Sequence, residues 1–312
     1  MKETAGGKNA AAISNNSKRN LYMYILLIPA IVSVTIFGYM PLCGTLIAFK
    51  DYDVLAGFMN SPWVGLKNFI DIFTLPEFTK AVANTFIYSS VNLFGRFPFP
   101  IILAIMLNEV RSAKFKKVAQ TLTYLPHFLS WISVIGFAYS LFALHGTYND
   151  IMSHIFGEGY ERVNILLNSK NFLGIIFVSG LWKEIGWSSI IYLAAIAGID
   201  PALYEAAEID GAGRLRQIWH IMLPSIRSTA VLVLIMGIGN MVVINFEQVY
   251  GFQNVYIQNE TEVMNTLAYR QGIQNGKYSL ATALSLVQGL ISLLLVVTAN
   301  KISKKMSDIA IW

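Results

Sequence analysis

Charge is what this 312-residue sequence has least of. Only 13% of its residues are charged, 55% are hydrophobic, and the mean hydropathy is +0.53. Soluble domains carry about a quarter charged residues, so the composition excludes an ordinary water-soluble globule. Cysteine is nearly absent. Cys43 stands alone, which rules out an intramolecular disulfide and a multi-cysteine metal site. The four histidines (His127, His145, His154 and His220) include no two at helical metal-pair spacing. Neither H-E-x-x-H nor G-x-S-x-G occurs. The two Gly-Lys pairs, Gly7-Lys8 and Gly276-Lys277, are followed by Asn9 and Tyr278, so both lack the Ser/Thr of a phosphate-binding loop. The sequence therefore offers no catalytic residue, no metal site and no cofactor site of its own.

Long apolar runs are abundant. A bilayer core is crossed by about 20 apolar residues in a helix, and six such spans are read at about 21–48, 85–107, 121–144, 172–196, 225–245 and 281–300. Lipid cannot satisfy free backbone groups, so the spans are helices. A barrel would instead show short alternating segments. The second span carries Arg96 beside an expected break at Pro98-Phe99-Pro100. The polar leader 1–20, rich in Ala, Asn, Ser and Lys, reads as disordered. Residues 21–305 form the membrane domain, and 306–312 a short tail.

Lys and Arg set the orientation. One set of segments holds 14: Lys2, Lys8, Lys18, Arg19, Arg111, Lys114, Lys116, Lys117, Arg214, Arg216, Arg227, Lys301, Lys304 and Lys305. The opposite set holds 7: Lys50, Lys67, Lys80, Arg162, Lys170, Arg270 and Lys277. The excess predicts that both termini are cytoplasmic in a multi-pass protein of the cell membrane. The net charge of +5 is then topology, and no nucleic-acid partner is expected.

One polar stretch interrupts this pattern on the cytoplasmic side, at about 200–224. Asp200 and Pro201 are a good N-cap and first helical residue. Ala202 to Ile209 reads as a short helix, Gly211 and Gly213 permit a sharp turn, and Leu215 to Met222 reads as a second helix. Pro224 is expected to start the fifth span. Glu205-Ala206-Ala207, Asp210-Gly211-Ala212, Ile221, Leu223 and Pro224 resemble, in order and spacing, the "EAA" loop of binding-protein-dependent ABC importer permeases. Ile218 departs from that pattern, which often has Phe there, but keeps an apolar side chain. Ala48-Phe49-Lys50-Asp51-Tyr52, Ser61-Pro62-Trp63-Val64-Gly65-Leu66 and Tyr124-Leu125-Pro126 are similar to the carbohydrate-uptake branch. Phe246-Glu247-Gln248, Tyr278-Ser279-Leu280-Ala281-Thr282-Ala283 and the tail ending in Trp312 resemble a subgroup importing polysaccharide fragments, often acidic.

The resemblance implies an all-α polytopic protein with six transmembrane helices, in the type I ABC importer permease fold with a cytoplasmic coupling helix. It further implies a second homologous permease, forming a heterodimer, and two copies of a cytoplasmic ABC ATPase that bind the ATP and Mg²⁺. An extracytoplasmic solute-binding protein, an oligosaccharide substrate and surrounding membrane lipid complete the set. Glu205, Ala206, Ala207, Asp210, Gly211, Ala212, Ile218, Leu223 and Pro224 would couple to the ATPase.

Charge inside a membrane span is costly and marks function. Arg96, Lys183 and Glu184 are the intramembrane charges. Lys183 and Glu184 are adjacent, so they should point about 100° apart on a helix, one toward the pathway and one toward a neighbouring helix. With Trp182, Trp187, Asn240 and Asn245 they make up the candidate substrate pathway; Tyr192 and Gln288 are further polar or aromatic candidates. Three other readings stand against the importer permease for sugars. A stand-alone secondary transporter predicts an internal repeat, a membrane-embedded enzyme predicts clustered catalytic groups, and an ABC permease for a non-sugar solute shares the same cytoplasmic loop.

Overall fold

The computed structural model describes residues 23–307. The expected disordered leader 1–20 and the last residues of the tail, 308–312, lie outside the described residues. Among those described the chain is helical, and the one β pairing is an isolated antiparallel bridge between Lys50 and Trp63. Three helical segments are long and apolar enough to cross a membrane unbroken: α1 (Met23–Phe49), α2 (Phe78–Glu109) and a C-terminal helix, Tyr278–Lys305 within the longer Tyr278–Ser307. Three more spans are bent pairs, which brings the total to six.

The bends revise several sequence expectations. The Pro98-Phe99-Pro100 break does not occur. Phe97 is in the right-handed helical region and its amide still reaches Leu93 at 3.1 Å, so α2 runs on through both prolines. Proline's fixed φ suits a helix even though it removes a donor. The third span is instead the broken one. It divides into α3 (Ala113–Phe128), whose last turn is 3-10, and the segment Trp131–Phe156, bent from it by 101°, of which α4 (Trp131–Phe142) is the first helix. Leu129 and Ser130 are extended at the break, and the Ser130 hydroxyl caps α4 by accepting from the Ser133 amide at 3.2 Å.

The fourth span, α5 (Ser169–Ala197), turns by 68° into α6 (Pro201–Ile209). Next come α7 (Arg214–Ser225) and α8 (Arg227–Gly239), bent by 55°. Pro224 lies inside the end of α7 and does not open the fifth span, and α8 stops at Gly239, short of the expected Asn245. A turn at 240–244 then leads into α9 (Phe246–Phe252), α10 (Met264–Tyr269) and α11 (Tyr278–Ser307).

Two helices act as hubs. α5 packs against α2, α3, α8 and α9, while α11 packs against the end of α1 and against α8 and α10. The apolar interior forms three clusters. One, around Phe172, Ile176, Val249 and Phe252, joins α5 to α9. Another, around Ala48, Ile72, Met264 and Leu284, joins α11 to the segments before α2 and after α9. The third, around Ala104, Tyr192, Ile196, Met222 and Ile226, sits at the α6 end. Every residue from 23 to 43 is exposed in the isolated chain, as an apolar helix facing lipid or another subunit would be.

The loops at the end opposite α6 are held by polar ties. Asn149 donates to the Ala143 and Val163 carbonyls and accepts from the Tyr160 hydroxyl. Glu262 and Arg270 form a buried ion pair at 3.1 Å. Burial pushes the Glu262 carboxyl up from its ordinary range; the Thr266 hydroxyl and Arg270 pull it back in part, and Glu77 adds to the rise.

Close helix contact rests on particular glycines. A Cβ at Gly186 of α5 would strike the backbone oxygen of Thr123 in α3, which cannot swing aside. A Cβ at Gly136 of α4 would meet open space. Gly186→Ala should therefore destabilise the protein by about 1–3 kcal/mol, while Gly136→Ala should be neutral or slightly stabilising. Thermal denaturation in detergent of the two variants side by side checks this.

Candidate functional sites: the α6–α7 loop and the intramembrane cavity

Local chemistry dictates the loop. The Asp200 side chain caps α6 by accepting from the Ala202 amide at 2.9 Å, with Pro201 in the first turn. The C-terminal end closes as a Schellman motif. The Ala212 amide donates to the Ala207 carbonyl at 2.8 Å and the Gly211 amide to the Glu208 carbonyl at 3.0 Å. That closure needs a left-handed residue, and Gly211 has φ +74°. Gly213 is extended and needs no such freedom. The run from Glu205 to Ala212 thus has a structural meaning: the last turns of a helix and the stop that ends it.

One face of α6 is anchored and the other is open. Tyr204 packs against the cluster of Ala104, Tyr192 and Met222, together with Ile218 and Leu223 of α7. Glu205, Ala206, Glu208, Ile209 and Asp210 are exposed. Exposed apolar side chains continue across Leu215 and Trp219. Gln217 is buried, donates to the Ala212 carbonyl at 3.3 Å and accepts from Arg214 at 3.1 Å. Arg214 also pairs with Glu109, at the end of α2, at 3.0 Å. Burial and nearby Glu109 push the Tyr204 phenol up, while Arg214 pulls it back. The loop is therefore bolted to α2 and α5 and presents a mixed acidic and apolar surface outward.

A second site lies between α2 and the turn after α8. Ser89, Asn92 and Arg96 of α2, with Asn240, Asn245 and Gln248, line a cavity of about 240 Å³. Arg96, Asn240 and Asn245 were expected in a pathway, and the structure brings them to one cavity, Arg96 from α2 and the two asparagines from the turn after α8. Ser89, Asn92 and Gln248 were not expected as site residues. An Asn in an apolar span and a Gln one turn into a helix were the available signals. Asn92 Oδ1 is buried and has no hydrogen-bond partner among the described residues.

Much of this polarity also serves the backbone. Arg96 donates through Nε to the Phe177 carbonyl at 3.1 Å and through Nη2 to the Ile176 carbonyl, and lies over the Phe177 ring at 5.6 Å. Gly180 makes room for the guanidinium, since any Cβ there would overlap it. Asn245 caps α9 by accepting from the Gln248 amide at 2.8 Å. Gln248 donates to the Ile176 carbonyl and the Ser179 hydroxyl at 2.7 and 2.9 Å.

The other candidates fall elsewhere. Lys183 is buried and donates to the His127 carbonyl at 2.6 Å, filling the carbonyl end of the 3-10 turn where the third span breaks. Glu184 meets His127 Nδ1 at 2.8 Å, and Trp187 stacks on the His127 ring at 4.3 Å. Lys183 and Glu184 do not diverge as their adjacency predicted. Both long side chains bend onto the same turn, and Lys183 Nζ lies 3.8 Å from Glu184 Oε1. Trp182 lines a separate, apolar groove. His127 escaped the sequence reading, although a histidine after Tyr124-Leu125-Pro126 inside an apolar run was the clue. Among the described residues no group of His, Cys, Asp and Glu has the arrangement of a metal site.

An assembly of bent spans, a polar cavity between them and an anchored loop exposed at one end defines a membrane transport subunit. The chain belongs to the family of binding-protein-dependent transport system inner membrane components, whose model matches residues 96–307. It is 43% identical to the polygalacturonan/rhamnogalacturonan transport system permease protein YteP of Bacillus subtilis over 291 residues, covering 93% of this chain and 90% of the relative. It is 42% identical to protein LplB of the same organism, over 92% and 90% of the two chains. A chain in the crystal structure of a bacterial ABC transporter involved in the import of the acidic polysaccharide alginate superposes with a TM-score of 0.85. That chain is 35% identical, with 95% of this chain and 99% of that one covered. A second crystal structure of the alginate transporter, in complex with an alginate pentasaccharide-bound periplasmic protein, matches equally well. The type I importer permease fold expected from the resemblance is the one observed. The chain is a multi-pass membrane permease of an ABC transport system.

Removing the Lys183 ammonium leaves buried carbonyls without a donor, a loss of about 1–3 kcal/mol. Lys183→Met should lower the thermal midpoint of the purified protein and leave its ratio of acidic to neutral oligosaccharide uptake unchanged. Uptake assays in cells, normalised to the amount of protein in the membrane, read that ratio.

Proposed function

We propose that this chain forms half of the translocation pathway of an ATP-driven importer for oligosaccharides, including fragments of acidic polysaccharides. The observation that carries this reading is α6. It is closed by the Gly211 stop, fixed through Tyr204 and the Arg214–Glu109 pair to α2 and α5, and left open on its acidic and apolar face. A short helix held this way transmits a push to the spans that line the cavity. The matching of the chain to sugar permeases supports the substrate class.

In this reading the termini and α6 are cytoplasmic. α6 seats on one of two identical ABC ATPase subunits, which bind the ATP and Mg²⁺, and this chain holds no cofactor. A second, unlike permease completes the pathway, and an extracytoplasmic binding protein delivers the sugar. Closure of the ATPases rocks the two permeases between inward and outward openings, a rigid-body switch between two states. Within the cavity Arg96 keeps Nη1 clear of its two carbonyl bonds, so its charge is available to a uronate carboxylate. The neighbouring amides of Asn92 and Asn240 suit sugar hydroxyls.

Two experiments test this. A non-glycine residue in the left-handed region costs about 1–2 kcal/mol. Gly211→Val should therefore loosen the end of α6, and the ATPase should be lost from the complex during gentle purification while the second permease stays. Retention of the ATPase at the wild-type level would remove α6 from the coupling role. For the cavity, Arg96→Gln should reduce uptake of acidic oligosaccharides at least several-fold more than that of neutral ones, with Arg96→Lys intermediate. Equal losses for both sugar classes would restrict Arg96 to packing.

A further inference from the structure

A second cavity, larger than the polar one, is apolar. A groove of about 580 Å³ runs between α4 and α5 on the half of the bundle away from α6. Its walls are Phe137 and Leu141 of α4 and Ile175 and Val178 of α5, with Phe252 behind them. Phe137 and Val178 are strongly exposed, at 58% and 63%. Trp182 closes the deep end and is itself 44% exposed. Lys170 stands at the mouth.

The dimensions of this groove identify its occupant. From Lys170 to Trp182 α5 rises about 18 Å at 1.5 Å per residue, and one leaflet of a bilayer's hydrocarbon core is about 15 Å thick. Trp182 lies one residue from the middle of the 29-residue α5, so the groove begins at a membrane surface and ends near the midplane. A helix of another subunit would need a seat along the whole span. Below Trp182 that path is closed, because Lys183 and Glu184 bend onto the 3-10 turn there. The volume falls within the usual range of about 300–1,000 Å³ for small-ligand sites.

The mouth supplies charge complementarity. Among the described residues, the ion pairs that form do not include Lys170, while nearby Arg162 is already neutralised by Asp150 at 2.9 Å. Asn171, beside Lys170, spends its amide on the Ile165 carbonyl at 3.1 Å. An unpaired cation at the rim of an apolar trench one leaflet long matches a negatively charged head on an alkyl chain.

We infer that the α4–α5 groove is a binding site for one acyl chain of an anionic phospholipid, with Lys170 pairing to its phosphate. The bound chain covers the apolar walls and packs α4 against α5 just beyond the break in the third span. Gly174 lines the groove floor, and a Cβ there would meet open space, so a larger residue enters the groove without disturbing the bundle.

The complex, purified whole, is placed in nanodiscs containing phosphatidylglycerol or phosphatidylcholine brominated on the acyl chain. Quenching of Trp182 is taken as the difference between the wild-type emission and that of Trp182→Phe. Brominated phosphatidylglycerol should quench Trp182 at a lower mole fraction than brominated phosphatidylcholine. Lys170→Gln should raise that mole fraction about fivefold, as expected for one lysine at a membrane surface. Gly174→Leu should abolish the quenching. Equal quenching by the two lipids would reduce the groove to ordinary lipid contact. No quenching by either would mean that protein covers it, and unchanged quenching in Gly174→Leu would place the lipid outside the groove. Each of these overturns the assignment. Should Gly174→Leu fail to fold, the comparison of the two lipids in Lys170→Gln decides.

Discussion

The architecture depends on one constraint: every backbone carbonyl exposed by a break inside the bundle must find a donor, because lipid offers none. The turn at 240–244 is the clearest case. Its carbonyls at Met241, Val242 and Ile244 are met by Ser89 of α2, Gln288 of α11 and Asn265 of α10. Three different helices thus converge on one irregular turn. The break between α3 and α4 obeys the same rule with Lys183 as donor. These side chains do more than decorate helices. They fix where the helices are allowed to stop, and so where a cavity can open.

That constraint also explains how movement at one end of the molecule can be felt at the other. α6 is capped at both ends, by Asp200 and by the Gly211 turn. Its anchors are α2, through Glu109, and α5, through the cluster holding Tyr192 and Ile196. The same two helices carry Arg96 and the carbonyls of Ile176 and Phe177 to which it binds. No chain of messenger residues is needed. In the proposed coupling role, a push on α6 would be carried by α2 and α5 to the cavity beside them.

How much of this was legible in the sequence depends on the range of the interaction. Helical spans, their number and the capped short helix at Pro201–Ile209 follow from local composition, and all could be read. The end of α6 was legible at Gly211, because a Schellman stop involves only neighbours and announces itself with glycine, whereas Gly213, also expected in the turn, is extended. Breaks were harder. Pro98 and Pro100 looked like a break but are absorbed in α2. Leu129 and Ser130 carry no strong breaking signal, yet the chain turns by 101° there. That turn is chosen by distant groups, the ammonium of Lys183 and the carboxylate and indole that grip His127, which only the fold brings within reach. For the same reason Asn240 and Asn245 could be singled out as polar residues in an apolar run, while nothing local told that Ser89 and Asn92 of α2 face them across the cavity.

The contrast between the two intramembrane cations follows from the same accounting. Each faces carbonyl oxygens, but Lys183 is almost fully buried and its compact ammonium is spent on a broken turn. Arg96 has a planar fork with more donors than the backbone can use. Two of its nitrogens hold α2 to α5, and the residue also lines a cavity that it shares with Ser89, Asn92, Asn240, Asn245 and Gln248 and with apolar side chains such as Leu93 and Ile244. A lysine at position 96 would have to choose between holding the helices and facing the cavity, whereas arginine does both. The residue that ties α2 to α5 is thereby also the one that brings a positive charge to the space beside them, so in the proposed pathway packing and charge meet in a single guanidinium.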